Sequence, residues 1–156
     1  MDKFAIIYAD PPYSYRVWNR KGVGRTAENH YSTLNVKEIC ALPVADIAAE
    51  SSALFLWATY PCLPEAFEII KAWGFTYKTV CFTWVKTCRK SPGYFVSLGH
   101  WTRANAEVCL LATKGSPHRV SKSVRQLIRR RRRPSVRRVS STRRVTIYPR
   151  RKNSAG

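Results

Sequence analysis

Apolar runs and turn residues alternate along the first 115 positions. Phe4-Ala5-Ile6-Ile7-Tyr8-Ala9 is followed at once by Asp10-Pro11-Pro12, and comparable apolar runs cover 53–58, 78–86 and 107–113. Runs of this length, closed by Gly, Pro, Asn or Asp, read as strands. Residues 64–73 instead follow a 3.6-residue period, with Ala66, Phe67, Ile70 and Trp73 on one face and Gly74 as the stop. A shorter helix is predicted from Asn35, where Glu38 three residues on completes a capping arrangement and Pro43 interrupts the pattern. Strands separated by helices predict a layered α/β domain with a largely parallel sheet. Two stretches lack any period: 14–30, polar with Gly22 and Gly24, and 87–99, with Pro92, Gly93 and Gly99. They are expected to be long loops, the first mobile, flanking one strand end where a substrate would enter.

Charge divides the chain more sharply than hydropathy does. Residues 1–115 hold 13 basic and 9 acidic side chains, a net of +4, whereas 116–156 hold 15 basic and none acidic, a net of +15. From Arg129 onward the chain is rich in Arg, Ser and Val, has no acidic residue, Leu or Phe, and opens with five consecutive arginines. The expectation is a folded domain over 1–118 and a basic, disordered tail over 119–156 that neutralises phosphates with steep salt dependence. Five cysteines, Cys40, Cys62, Cys81, Cys88 and Cys109, form no Cys-x-x-Cys pair and are odd in number, so buried free thiols are expected in place of a metal ribbon or disulfide framework. The chain contains no apolar run of membrane-spanning length and no basic-then-apolar leader. A cytoplasmic protein without membrane contact is expected.

Asp10-Pro11-Pro12-Tyr13 is the most specific string in the chain. A strand that feeds a rigid turn ends at the open edge of a sheet, where ligands of α/β proteins bind. Two prolines fix φ and remove two backbone donors, so acceptors remain. The Asp10 carboxylate and the Pro11 carbonyl can both accept from an exocyclic –NH2, and Tyr13 offers an aromatic face for stacking. Such a turn suits the amine of a nucleobase. No metal is needed for chemistry of this kind.

Four further segments follow in order: His30-Tyr31-Ser32-Thr33-Leu34, Leu54-Phe55-Leu56-Trp57-Ala58-Thr59, Trp84-Val85-Lys86-Thr87, and Gly99-His100-Trp101 running on to Glu107-Val108-Cys109-Leu110 and Lys114-Gly115-Ser116-Pro117. With the Asp-Pro-Pro-Tyr turn they resemble the N6-adenine methyltransferase family that includes the catalytic subunit of the messenger-RNA adenosine methyltransferase and many phage and bacterial members. The resemblance covers residues 4 to about 118. Tyr13 stands where that family usually has Trp, a change that keeps an aromatic ring.

The resemblance implies a Rossmann-like, three-layer α/β fold with a mostly parallel sheet, S-adenosylmethionine as cofactor, and methyl transfer to the N6 amine of adenine in nucleic acid, with DNA ranked ahead of RNA. It implies Asp10, Pro11, Pro12 and Tyr13 as the catalytic turn, Asp10 and Pro11 as cofactor contacts, and Tyr31, Trp57, Lys86 and Glu107 as substrate contacts. Each of the last four has a plain structural reading: Tyr31 packs, Trp57 ends a buried strand, and Lys86 and Glu107 form a surface pair. His100 reads as structural, and Arg16, Arg20, Lys21 and Arg25 as a solvated face. The family's cofactor-binding loop, helix and strand have no counterpart after Ile128, so a fold incomplete at its C-terminal end is expected. The alternative function is a catalytically silent, truncated or frame-shifted homologue that binds nucleic acid through its Arg-rich tail; cytosine N4 or a protein amide are the rival acceptors.

Overall fold

A computed structural model describes residues 3–13, 34–88, 91–99, 101–131 and 145–148. The strands are β1 (Phe4–Ala9), β2 (Ala48–Ala58), β3 (Thr76–Thr87), β4 (Glu107–Lys114), β5 (Leu127–Arg131) and β6 (Val145–Tyr148); the α-helices are α1 (Val36–Cys40), α2 (Val44–Ile47) and α3 (Leu63–Ala72). All the strands lie in one sheet in the order β5-β3-β4-β2-β1-β6.

The four apolar runs each become a strand, and the capping arrangement at Asn35 forms in full. The Asn35 side chain accepts from the Glu38 N–H at 2.9 Å, and the Glu38 carboxylate accepts from the Asn35 N–H at 2.8 Å. Helix α3 stops as its sequence requires. Gly74 takes a φ of 77°, while its N–H donates to the Lys71 carbonyl and the Phe75 N–H to the Ile70 carbonyl, both at 3.0 Å. That is a left-handed glycine closing the last orphan carbonyls of a helix.

Three expectations are corrected. The sheet is mixed: β1–β2 and β3–β5 pair in parallel, whereas β2–β4, β3–β4 and β1–β6 are antiparallel. The long segment after β3 returns the chain antiparallel, so β4 lies between β2 and β3. Secondly, the buried face of α3 is Ala66, Ile69, Ile70 and Trp73, while Phe67 is 43% exposed and meets Tyr77 edge-to-face at 5.1 Å. Thirdly, the stretch expected as a disordered tail contains β5 and β6, which pair with β3 and β1 at the two edges of the sheet. An edge strand needs one hydrogen-bonded neighbour and tolerates arginine, since its side chains are not enclosed on both faces. The expected mobile loop at 14–30, and the tail at 132–144 and 149–156, lie outside the described residues.

Alternation along the strands sorts the sheet into two faces. Ile7, Ala9, Leu54, Leu56, Ala58, Val108, Leu110 and Ala112 point to one face and pack with Ile39 of α1, Val44 of α2 and Ala66, Ile69, Ile70 and Trp73 at α3 in a single buried cluster. Trp73 anchors this layer, its indole N–H donating to the Ile39 carbonyl at 3.0 Å. Thus, among the described residues, one helical layer covers one face, where three layers were expected. The opposite face carries Ile6, Tyr8, Phe55, Trp57, Phe82 and Trp84; Phe55 and Phe82 stack with ring centres 6.5 Å apart. Ile6 and Tyr8 are 42% and 37% exposed there.

Candidate active site

Asp10 leaves the sheet at the carboxyl end of β1, beside the parallel strand β2. The period of two puts Ile6, Tyr8 and Asp10 on the open face. Trp57 comes to the same end from β2, Trp84 and Lys86 from β3, and Glu107, antiparallel, from the start of β4. Four strands therefore bring their chemistry-bearing residues to one sheet end.

The turn is held from within. The Tyr13 N–H donates to the Pro11 carbonyl at 2.9 Å, and the Leu34 N–H to the Pro12 carbonyl at 3.0 Å. A parallel bridge between Tyr13 and Leu34 brings the second resembling segment against the turn. Tyr13 itself does not match the expected stacking platform. It is 7% exposed within the core cluster, and its hydroxyl donates to the Trp57 carbonyl at 3.1 Å. The turn bends the ring inward, because the short Tyr13-to-Pro11 bond curls the chain back over the sheet. Its position makes it a brace between the turn and the end of β2.

The indole N–H of Trp57 donates to the Tyr8 hydroxyl at 2.6 Å. This half-buried ring is fixed on the open face one strand away from Asp10. Tyr8 was not singled out from the sequence, although its place two residues before Asp10 carried the signal. Lys86 and Glu107 form an ion pair of 2.5 Å, with side chains 16% and 28% exposed. The Lys86 ammonium also lies 5.2 Å from the centre of the Trp84 ring, within cation–π range. Asn105, also missed, clamps this corner. Its carboxamide oxygen accepts from the Lys86 N–H at 3.0 Å, and its amide donates to the Lys86 carbonyl at 2.9 Å and to the Phe95 carbonyl. Tyr31, His100, Arg16, Arg20, Lys21 and Arg25 lie outside the described residues.

The electrostatics centre on Asp10. Its carboxylate keeps an opening to solvent but is crowded by protein, and this desolvation, with a smaller contribution from the Glu107 charge, raises its pKa from 3.8 to about 6. Among the described residues no cation pairs with it, since the Lys86 ammonium is taken by Glu107. A crowded carboxylate without a counter-charge is the chemistry that fits a cationic sulfonium or a donating amine. On that ground Asp10 and the Pro11 carbonyl, which keeps a second lone pair, fit S-adenosylmethionine on its methyl side. The neighbouring Cys109 thiol is buried and pushed up to about 12, by burial first, then by Cys81 and Asp10. It is therefore inert at neutral pH. All five cysteines are free; Cys62 and Cys109 are buried as expected, whereas Cys40, Cys81 and Cys88 are half-buried.

One consequence is testable. Lys86→Met leaves the Glu107 charge uncompensated beside Asp10, so the Asp10 pKa should rise further, and the acid limb of the pH–rate profile should move upward. An unshifted limb in a folded variant would show that the pair does not act on Asp10.

Comparison with known proteins decides what this arrangement belongs to. The family model MT-A70 matches residues 4–147, which runs from the start of β1 through β5 and into β6. The chain belongs to the MT-A70 family. MT-A70 proteins are S-adenosylmethionine-dependent methyltransferases. The chain is 32% identical over 143 residues to the type II methyltransferase M.MunI of Mycoplasma sp, covering 81% of this chain and 58% of that protein. It is 29% identical over 118 residues to the N(6)-adenosine-methyltransferase catalytic subunit METTL3 of Homo sapiens, covering 75% of this chain and 18% of that protein. An MT-A70-like protein of Drosophila melanogaster is 27% identical over 125 residues, with 80% of this chain and 19% of that protein covered. This MT-A70 chain thus spans little more than half of one relative and about a fifth of the others. Among the described residues, no helix is long and apolar enough to cross a membrane.

Proposed function

We propose that this MT-A70 chain transfers a methyl group from S-adenosylmethionine to the exocyclic N6 amine of adenine in nucleic acid, with DNA the preferred polymer and the cytoplasm its place of action. The observation that carries the reading is the Asp10 carboxylate at the open end of the parallel β1–β2 pair, crowded by protein, within reach of the Glu107 charge and, among the described residues, without a cation of its own. The pair and its helical crossover are the Rossmann-like unit of the fold.

The difficulty of the reaction lies in the nucleophile. The adenine amine has its lone pair delocalised into the ring, so the site must draw that pair out of conjugation. Asp10 and the Pro11 carbonyl do this by accepting both N–H bonds, which favours a pyramidal nitrogen and strengthens as positive charge develops there. Pro12 keeps the turn rigid, and Tyr13 braces it against Trp57. The Trp57 indole, held by Tyr8, flanks the base, while Lys86, Glu107 and Tyr31 contact the acceptor nucleotide. Bound S-adenosylmethionine, held by Asp10 and Pro11, supplies the electrophilic methyl. After transfer, the Asp10 oxygen receives the proton that the nitrogen must lose, a task suited to a carboxylate of pKa about 6.

The test is the pH dependence of methyl transfer into an oligonucleotide. Only ionised Asp10 accepts from the amine, so the rate should climb about tenfold per unit below pH 6 and level above it. A flat profile from pH 4.5 to 8 would remove Asp10 from the reaction.

A further inference from the structure

The ladder between β3 and β4 ends where Trp84 pairs with Glu107. Continuing the antiparallel register by two residues puts Asn105 opposite Lys86, and there a side chain takes over from the backbone. The Asn105 carboxamide oxygen accepts from the Lys86 N–H at 3.0 Å, and its amide donates to the Lys86 carbonyl at 2.9 Å. A carboxamide carries the same donor and acceptor types as a peptide group, so this clasp prolongs the ladder beyond the strand. The amide also donates to the Phe95 carbonyl, while the Phe95 N–H donates to the Lys86 carbonyl at 2.9 Å. One half-buried side chain thus joins the end of β3, the approach to β4 and the returning segment at Phe95.

What the clasp fixes is the root of the Lys86 side chain. A lysine ammonium rides on a flexible four-carbon stem, so where it lands depends on where its backbone is held. Here it lands on Glu107, at 2.5 Å, and 5.2 Å from the centre of the Trp84 ring. Glu107 lies two residues after Asn105, so the residue that holds the Lys86 backbone also sets its distance from the carboxylate.

The pair matters because the Glu107 charge reaches Asp10. The titratable groups about this corner are Tyr8 and Asp10 from β1, Cys81 and Lys86 from β3, and Glu107 and Cys109 from β4; β2 brings Trp57, which does not titrate. Arg130 of β5 is level with Lys86, but on the side of β3 away from β4. Among the described residues, Lys86 is the cation in contact with Glu107.

We propose that Asn105 is a positioning residue: by clasping both backbone groups of Lys86 it keeps the ammonium on Glu107, and through that pair it shields Asp10 from the Glu107 charge. Its effect on methyl transfer rests on the reading of Asp10 as the amine acceptor, but the charge relation is measured without turnover, so the two can fail separately.

The chain has three aspartates, Asp2, Asp10 and Asp46. NMR of the chain with carbon-13 at the aspartate carboxyls therefore follows Asp10 directly, as the signal that Asp10→Ala lacks. In the wild-type chain its titration midpoint should lie at about 6. Asn105→Ala should raise the midpoint by at least half the rise that Lys86→Met produces, since a like charge left bare disfavours ionisation. It should add nothing in the Lys86→Met background, because Asn105 acts through Lys86. A midpoint that stays or falls in a folded Asn105→Ala chain overturns the proposal, as does the absence of a rise with Lys86→Met. So does a further rise in the double variant, which would show that Asn105 acts on Asp10 by another route. Should Asn105→Ala not fold, Asn105→Gln, which carries the carboxamide one methylene too far, is held to the same outcomes. Unfolding of both would make Asn105 a residue of the fold alone and overturn the proposal. If the midpoint moves as expected but the acid limb of methyl transfer does not follow, the positioning role stands and the Asp10 reading fails.

Discussion

Asp10→Ala is expected to lower the rate of methyl transfer by about 10²–10³ while leaving the chain folded. The magnitude is that of losing one preorganised contact to charge that develops in the transition state. The fold should survive because the side chain lies at the end of β1 with an opening to solvent, outside the buried cluster of Ile7, Ala9, Leu54 and Leu56. Burial in fact works against the ionised form, since desolvation raises the Asp10 pKa to about 6. Thermal unfolding of the variant near neutral pH should therefore show no loss of stability. A well-folded Asp10→Ala chain that keeps more than a tenth of wild-type kcat would exclude the acceptor role.

Tyr13→Ala should fail differently, through the fold first. Its ring is 7% exposed in the core and its hydroxyl is bonded to the Trp57 carbonyl. Truncating a buried aromatic costs about 3–5 kcal/mol, a large share of the 5–15 kcal/mol typical of a small domain. Tyr13→Phe keeps the packing and should cost only about 1 kcal/mol, the hydrogen bond alone. Denaturant midpoints of the two variants test the assignment. A Tyr13→Ala variant as stable as wild type, but inactive, would return Tyr13 to the role of an exposed stacking face.

The contrast between these two residues shows what the sequence carried. Asp10 was legible because strand-then-proline chemistry places its carboxylate at a sheet end whatever the remaining contacts are. The inward turn of Tyr13 depends on the Tyr13-to-Pro11 and Leu34-to-Pro12 bonds, the second of which joins segments about twenty residues apart and leaves no local signal. Likewise β1, β2 and β4 were legible because their apolar runs supply the buried residues of the sheet, and β3 because its apolar run is half-buried beside them. Val145-Thr146-Ile147-Tyr148 is rich in strand-forming residues, but it lies in a basic stretch whose average composition hides it, and Leu127–Arg131 is mostly arginine. Edge strands escape a reading based on burial, since they need little. The mixed pairing was hidden for another reason. Alternating strands and helices suggest parallel neighbours, yet β4 enters between β2 and β3 by a connection without a helix among its described residues.

Lys86 and Glu107 show the reverse case, in which two weak signals meet. Neither is specific alone, but the pairing of β3 with β4 brings them into contact, and the remaining Glu107 charge reaches Asp10. Asn105 and Tyr8 complete the corner and are natural second targets for substitution.

The central claim is that this sheet end methylates the N6 amine of adenine, and nucleoside analysis tests it most directly. The purified chain would be incubated with S-adenosylmethionine carrying a labelled methyl group and with equal amounts of single-stranded DNA and RNA of the same mixed sequence, and both polymers would then be digested to nucleosides and separated. The account predicts label in N6-methyldeoxyadenosine, more in DNA than in RNA, and none with Asp10→Ala. Label in N4-methylcytosine, or equal labelling by wild type and Asp10→Ala, would contradict it.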